Sequence, residues 1–185
     1  EYSLATGDKN YAVNALGLFK RIKRFLSTPG FLEPKYLPTV EMHGHSITMI
    51  LINTAARIRA VISDPELDAQ IEESISAIEK YFVHPEFKAL LETVGPNGEF
   101  IDTCDGRIIN PGHCIETSWF ILEEAKYRNW DERLVKLALR ILDWSWEWGW
   151  DKEYGGIINF RDCRNMPSQD YSQDMKFWWP QTETI

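Results

Sequence analysis

The stretch Asn110-Pro-Gly-His-Cys-Ile-Glu116 decides the fold assignment, because it begins a helix that is apolar for most of three turns. His113 and Glu116 lie in the first turn of that helix. Residues three apart share one helix face, so an imidazole and a carboxylate stand together there. Histidine titrates near neutrality, which suits it to general acid–base catalysis. A purely structural pair, with the carboxylate favoured by the helix dipole, is the alternative.

Working outward from this helix, the hydrophobic periodicity predicts five helical segments of two alternating kinds. Segments at about 8–26, 64–83 and 131–148 each carry one apolar stripe opposite charged residues, as half-exposed outer helices do. Segments at about 45–61 and 113–128 are apolar around most of their circumference, as buried inner helices are. The alternation predicts an all-α fold, a double-layered barrel of helical hairpins. In the first segment, the predicted inward stripe comprises Tyr11, Ala15, Leu18, Ile22 and Phe25.

The connections between these segments locate the functional end of the barrel. Links from inner to outer helices are short, at 62–64 and 129–130, so they must lie at the end opposite the long links. The long links are residues 27–44, 84–112 and 149–175. Loops of this length in a compact domain often carry function. They are predicted to contain hairpin-like pieces: Ala89–Val94 with Glu99–Asp102 about Pro96-Asn97-Gly98, and Tyr154–Arg161 about Gly155-Gly156.

Each long link leads to the start of an inner helix, where polar and aromatic residues collect. Glu41 and His45 repeat the carboxylate–imidazole pattern at the start of the second segment. The stretch Lys176-Phe-Trp-Trp-Pro-Gln-Thr-Glu183 adds aromatic faces, an amide and a carboxylate, which suit a polyhydroxylated ligand. The predicted substrate-binding residues are His45, Glu41, Trp178, Trp179, Gln181 and Glu183.

Composition excludes several classes of partner and cofactor. At 185 residues the chain is predicted to form one domain, residues 1–185. Its net charge of -8 argues against binding to nucleic acid or to an anionic membrane. No apolar run approaches the ~20 residues of a membrane span. Three cysteines without a Cys-x-x-Cys indicate a reducing, cytoplasmic location. No cofactor is expected because phosphate-binding glycine motifs are absent from the sequence.

No metal site is expected either. His43 and His45 are two residues apart, so on a helix their side chains diverge, and no third ligand stands out. A sixth helix is predicted to start near Pro180, five residues before the last residue. Because one helical turn is unstable alone, the chain is interpreted as part of a longer barrel that lacks helices at both ends.

Three motifs together resemble the N-acylglucosamine 2-epimerase family of sugar epimerases and isomerases. Pro-Gly-His-x-Ile-Glu at 111–116 is similar to the central motif of that family. Trp148-Gly-Trp-Asp-Lys-Glu-Tyr-Gly-Gly156 is similar to the segment that follows, and Lys176-Phe-Trp-Trp-Pro-Gln-Thr-Glu183 to the next. The resemblance implies an (α/α)6 barrel of twelve helices, of which this chain is an incomplete part.

The resemblance also implies a reaction, catalysed by a sugar 2-epimerase or an aldose–ketose isomerase. The proton on C2 of an open-chain sugar is removed, a planar enediolate forms, and a proton returns. His113 and Glu116 match a catalytic histidine and the glutamate that accompanies it, while the second histidine of the family would lie beyond Ile185. His45 matches a histidine of the isomerase and cellobiose-epimerase branches. Glu41 stands where those branches often have asparagine, which leaves the sugar undetermined.

Two other functions stay open from sequence. One is an (α/α)6 glycoside hydrolase that uses two carboxylates, with Asp102, Asp105 and Glu116 as candidates. The other is a truncated barrel without catalysis that acts as a binding fragment. The expected partner is a small sugar, with neither nucleic acid nor membrane, and a homodimer is left open. These 185 residues alone are expected to be inactive.

Overall fold

Seven α-helices carry the fold of the residues described in this computed structural model, 1–28, 30–31 and 39–185. They are α1 (Tyr2–Thr6), α2 (Asn10–Ser27), α3 (His45–Arg59), α4 (Pro65–Ala77), α5 (Pro111–Tyr127), α6 (Glu132–Gly149) and α7 (Trp178–Thr184). A π-helical turn, Ile78–Phe82, extends α4. The five predicted helical segments are confirmed to within a few residues, whereas α1 was not predicted. The predicted link 27–44 includes residues 29 and 32–38, which lie outside the described residues.

Side-chain caps explain where three of the long helices begin. Asp64 accepts a hydrogen bond from the backbone N–H of Glu66 at 2.9 Å, and a proline follows at the first helical position. Asn110 caps α5 by accepting from the backbone N–H of His113 at 3.2 Å. Asp131 caps α6 in the same way. These local signals are why the helix starts could be predicted from sequence.

The helices pack in the predicted order of inner and outer elements. α3 packs on α4 and lies beside α5, and α5 packs on α6 and α7. The outer helix α6 buries one face only, as its sequence predicts. The inner helix α5 buries residues around most of its circumference; they are Pro111, Gly112, Cys114, Ile115, Thr117, Ser118, Phe120, Ile121, Glu124 and Ala125.

The predicted inward stripe of α2 is wrong. Tyr11, Leu18 and Ile22 are exposed, and the helix instead buries Ala12 and Phe19. The apolar face of α2 is broad, and its periodicity did not determine which part of that face would be buried. On the inner helix α3, Ile47 and Ile50 are exposed, which agrees with the expectation for an incomplete barrel.

Within the described ranges, six two-residue strands join the loops at one end of the helices. They are β1 (His43–Gly44), β2 (Val83–His84), β3 (Ala89–Leu90), β4 (Thr93–Val94), β5 (Ile108–Ile109) and β6 (Arg161–Asp162). β1 pairs with β4, β2 with β3, and β5 with β6, all antiparallel.

One of the two predicted hairpin pairings is wrong. A turn does form at residues 95–99, but the segment that follows it is not a strand, and β4 pairs with β1 instead. The predicted turn at Gly155-Gly156 does form, and it is closed by an isolated antiparallel bridge between Trp150 and Ile157, so the hairpin begins before Tyr154. For β4 the sequence favoured a neighbouring segment as partner, whereas the folded loops pair it with the distant β1.

The opposite end of the helices is joined by ion pairs. Glu124 of α5 is buried and accepts from Arg59 of α3 at 2.5 Å and from Arg128 at 2.7 Å. Arg128 also reaches Glu72 of α4 at 2.6 Å. A buried carboxylate is stable only when paired, so this network fixes α3, α4 and α5 together at the end with short links. Among the described helices, none is both long and apolar enough to cross a membrane.

Candidate active site

Glu92 lies where two inner helices begin. Its backbone C=O accepts from the N–H of His45, the first residue of α3, at 2.9 Å. Its N–H donates to the C=O of Ile108 at 2.9 Å, two residues before the cap of α5. The pairing of β1 with β4 holds the first of these contacts in register. One short segment therefore sets the N-terminal ends of α3 and α5 side by side.

The side chain of Glu92 contacts the ring of His113. Its two carboxylate oxygens lie 3.1 and 3.0 Å from Nδ1 of His113. The amide nitrogen of Asn110 lies 2.9 Å from the same ring nitrogen. Nδ1 cannot donate to Glu92 and accept from Asn110 together, and the bond to the charged carboxylate is the stronger. Nδ1 therefore carries the hydrogen, and Nε2 of neutral His113 is left as a base.

Charges around His113 favour its protonated form. Burial by itself lowers the pKa of His113, but the hydrogen bond to Glu92, the charge of Glu92 and the charge of Glu116 outweigh it, so the pKa is raised above its ordinary value. The carboxylate that holds His113 is thus Glu92 and not the predicted Glu116. Glu116 is half-buried on α5, and burial together with the charge of Glu183 raises its pKa.

His45 is fully buried at the start of α3, behind Glu92. The hydroxyl of Thr117 donates to the backbone C=O of His113 at 2.7 Å, so its oxygen accepts from Nε2 of His45 at 3.0 Å. Nδ1 of His45 is then a bare acceptor, 3.9 Å from a carboxylate oxygen of Glu92. Burial lowers the pKa of His45 to about 4, against the opposing charge of Glu92. His45 is therefore neutral at physiological pH.

Trp179 of α7 covers one side of His113. The two ring centroids are 5.3 Å apart, with the planes inclined by 42°. Gly112 makes this approach possible, because a β-carbon at that position would lie 2.5 Å from the Trp179 ring. Trp178, the other predicted aromatic contact, is largely exposed. The structure thus brings Trp179, and not Trp178, to His113.

The remaining residues of the predicted site have structural partners. The side-chain amide of Gln181 accepts from the backbone N–H of Ile157 at 2.9 Å and donates to the C=O of the same residue at 2.7 Å. These two hydrogen bonds connect α7 to the preceding loop. Glu183 accepts from the indole N–H of Trp119 at 2.9 Å. These contacts position α7 against α5.

Glu41 does not share a helix face with His45, contrary to the prediction. α3 begins at His45 and is preceded by β1, so Glu41 lies outside the helix, where it is exposed. Two of the carboxylates proposed for a hydrolase have other polar partners. Asp102 forms ion pairs with Arg107 at 3.0 Å and Arg164 at 2.6 Å, and Asp105 accepts from the side-chain amide of Gln169.

The two histidines come together, as predicted. One nitrogen of each ring and one carboxylate oxygen of Glu92 all lie within 4.8 Å of one another. A cavity of about 360 Å³ opens to the side, between α5 and α7, and Trp119 and Glu183 are among its lining residues. The premise that no third metal ligand accompanies His45 is wrong, since Glu92 and His113 adjoin it.

Sequence reasoning missed Glu92 and Thr117. The available signal for Glu92 was an isolated acidic residue in the apolar stretch Ala89-Leu-Leu-Glu-Thr-Val94. A carboxylate in such a stretch needs a partner when it folds against the core. For Thr117 no local signal was present, because its partner His45 comes from another helix.

Comparisons with known proteins place the chain in a family. The family model described as N-acylglucosamine 2-epimerase (GlcNAc 2-epimerase) matches residues 66–185, which is more than half of the chain. The chain belongs to the N-acylglucosamine 2-epimerase family. The N-acylglucosamine 2-epimerase of Rattus norvegicus is 26% identical over 190 residues, covering 97% of this chain and 44% of that protein. The Homo sapiens enzyme is 26% identical over 186 residues, covering 98% and 43%.

Solved structures confirm the fold of this epimerase-family chain. Cellobiose 2-epimerase from Bacillus thermoamylovorans B4167 superposes with a TM-score of 0.79 at 17% identity, covering 98% of this chain and 48% of that one. A sugar epimerase from a ruminal bacterium gives 0.73 at 17% identity, with the same coverage. The predicted partial (α/α)6 barrel is confirmed. The chain spans less than half the length of these relatives.

Proposed function

We propose that this protein is a sugar 2-epimerase or aldose–ketose isomerase in which His113 moves the proton on C2 of an open-chain sugar. The observation that carries the proposal is the Glu92–His113 hydrogen bond at 3.0 Å in a chain of the N-acylglucosamine 2-epimerase family. A carboxylate on Nδ1 fixes the imidazole tautomer and leaves Nε2 to exchange a proton with the substrate.

The proton balance of the proposed step is simple. Nε2 of neutral His113 takes the C2 proton, and the electron pair of the broken C–H bond enters the planar enediolate. Glu92 stabilises the imidazolium that forms. Return of a proton to C2 on the other face gives the epimer, and return to C1, with the proton of the C2 hydroxyl passing to O1, gives the ketose. In the first case a second acid–base group is required on the opposite face, which the resemblance assigns beyond Ile185.

Other parts of the site are proposed to hold the sugar. Trp179 presents an aromatic face beside His113, and Glu116 adds a half-buried carboxyl group on the same helix, α5. His45, predicted to bind substrate, is fully buried behind Glu92 and has no surface to offer the sugar. The cytoplasmic location, the homodimer and the inactivity of these 185 residues alone stay predictions.

Deuterium exchange tests the proposal. The full-length protein is incubated in deuterated water with N-acetylglucosamine, N-acetylmannosamine, mannose, glucose and cellobiose, and the products are analysed by NMR and mass spectrometry. Deuterium at C2 of substrate or product is the expected result. Release of a new reducing end from cellobiose, without exchange at C2, would instead establish a hydrolase and contradict the proposal.

A further inference from the structure

The ring of His45 has an unmet bonding requirement. Its Nδ1 is buried and has no hydrogen-bond partner, and it is the one such buried side-chain atom among the described residues. Because Thr117 holds Nε2–H, the atom facing Glu92 is a lone pair rather than a donor. Two acceptors, Nδ1 of His45 and a carboxylate oxygen of Glu92, therefore face each other at 3.9 Å. Such a pair is stabilised by a group that accepts electron pairs from both.

A third ligand atom completes this arrangement. Glu92 lies 3.0 Å from Nδ1 of His113, and the three residues each offer one atom within 4.8 Å of the others. Ligands of a tetrahedral zinc ion are about 3.3 Å apart, given bond lengths of about 2.0–2.1 Å. Small movements of the Glu92 and His113 side chains, which are 20% and 25% exposed, would bring the three atoms to that spacing.

The geometry points to a binding site for a divalent transition metal, of which Zn²⁺ is the best fit, formed by His45, Glu92 and His113. Two imidazole nitrogens and a carboxylate oxygen suit Zn²⁺ better than Mg²⁺ or Ca²⁺, which prefer oxygen ligands. The partial exposure of Glu92 and His113 leaves a fourth position for water. The amide of Asn110, 2.9 Å from Nδ1 of His113, must turn aside, which limits the affinity.

Metal binding at this site inhibits the proposed reaction. When a metal takes Nδ1 of His113, that nitrogen must give up its hydrogen, and the single hydrogen of the neutral ring is then carried by Nε2. Nε2 then has no lone pair with which to accept the C2 proton. The inhibition rests on the proposed function, whereas the binding of the metal does not.

Cobalt spectroscopy tests the binding without any sugar. Metal-free full-length protein is titrated with Co²⁺, and the visible ligand-field absorption is recorded. One tightly bound cobalt ion per chain with the intense bands of four- or five-coordinate geometry, displaced by Zn²⁺, is expected. Glu92→Gln should weaken binding by at least ~10-fold, since even the loss of an outer partner of a metal ligand costs ~10–100-fold.

Matched variants decide whether the ligands are assigned correctly. Glu116→Gln makes the same change at a neighbouring carboxylate outside the three ligands, and Cys104→Ser removes an exposed thiol; both should keep the cobalt spectrum. If Glu92→Gln does not fold, as judged by its circular dichroism melt, His113→Asn replaces it. Wild-type protein that yields only weak octahedral bands would overturn the site. Intense bands that disappear in Cys104→Ser, or that persist when Glu92 or His113 is replaced, would also overturn it.

Deuterium exchange in the presence of Zn²⁺ separates this proposal from the proposed function. Loss of exchange that chelator restores supports both. Tight cobalt binding with exchange unaffected by Zn²⁺ supports the metal site and contradicts the role of His113. Absent cobalt binding with exchange intact overturns the metal site alone.

Discussion

Replacing Glu92 by glutamine should lower the pKa of His113. Glutamine keeps the size of the side chain and a carbonyl that can accept from Nδ1, but it removes the charge. In the wild-type protein that carboxylate, 3.0 Å from Nδ1, supplies the largest of the interactions that raise the pKa of His113. Without it, burial dominates and favours the neutral ring.

The size of the shift follows from the distance and the exposure of the two groups. Unit charges 3.0 Å apart interact by about 5 kcal/mol at an effective dielectric constant of about 20. Solvent reaches both groups, and glutamine retains a neutral hydrogen bond, so only part of this is lost. Opposite charges at such range shift a pKa by about 1–3 units, which corresponds to about 1.4–4 kcal/mol. We expect a decrease of at least about one unit.

Two measurements on the full-length protein check this expectation. NMR titration of the His113 ring protons between about pH 5 and about pH 9 gives the pKa directly. The pH profile of kcat/KM should move with it. His113 acts as a base only when neutral, so the acid limb of the profile should shift to lower pH in Glu92→Gln than in wild type. Glu116→Gln is the control, since Glu116 raises the pKa by charge alone and should shift it less. An unchanged or raised pKa in Glu92→Gln, or a larger fall in Glu116→Gln, would refute the reasoning.

Three further variants probe the site and the fold. His113→Asn should reduce turnover by ~10²–10⁴-fold while the folded protein still binds sugar, and near-normal steady-state turnover would remove His113 from the mechanism. Burial lowers the pKa of His45 to about 4, whereas the unfolded ring titrates near 6.5, so the unfolding free energy should fall by roughly 3 kcal/mol as the pH drops through that window. Denaturant titrations of His45→Gln should lack this part of the pH dependence. An unfolding free energy that depends on pH identically in His45→Gln and wild type would contradict the prediction. Gly112→Ala should destabilise the protein by about 1–3 kcal/mol and weaken sugar binding, because its β-carbon would strike Trp179. The matched change Gly17→Ala, where a β-carbon meets no atom within 4 Å, should stabilise α2 by about 0.5–1 kcal/mol, and thermal melts that rank the two the other way would disprove the packing argument.

Local patterns were sufficient to predict the helices and one half of the site. Asn110 and the apolar run after it specify where α5 starts, and the start of the helix places His113. Caps and amphipathic periods involve residues within a few positions of each other, so they are readable in one sequence. The same patterns failed at α2, where the apolar face is broad and only packing selects the part that is buried.

The partner of His113 was beyond such patterns. Glu116 was predicted as the carboxylate that accompanies His113 because it is near in sequence. Glu92 reaches the ring because β4, the strand that follows it, pairs with β1, and because the backbone of Glu92 adjoins Ile108. A strand of two residues has too few side chains to specify its partner by pattern.

The sequence by itself thus determined the alternation of inner and outer helices, their starting points and the helix that carries His113. Only the tertiary structure decided that Glu92 holds this ring, that Thr117 sets the tautomer of His45, and that Trp179 covers the site through Gly112. The physical reason is range. Helix periodicity and capping depend on interactions between residues that are near in sequence. The contacts of Glu92, Thr117 and Trp179 form only after distant loops have closed. Packing of the whole core offsets the entropy lost in closing those loops.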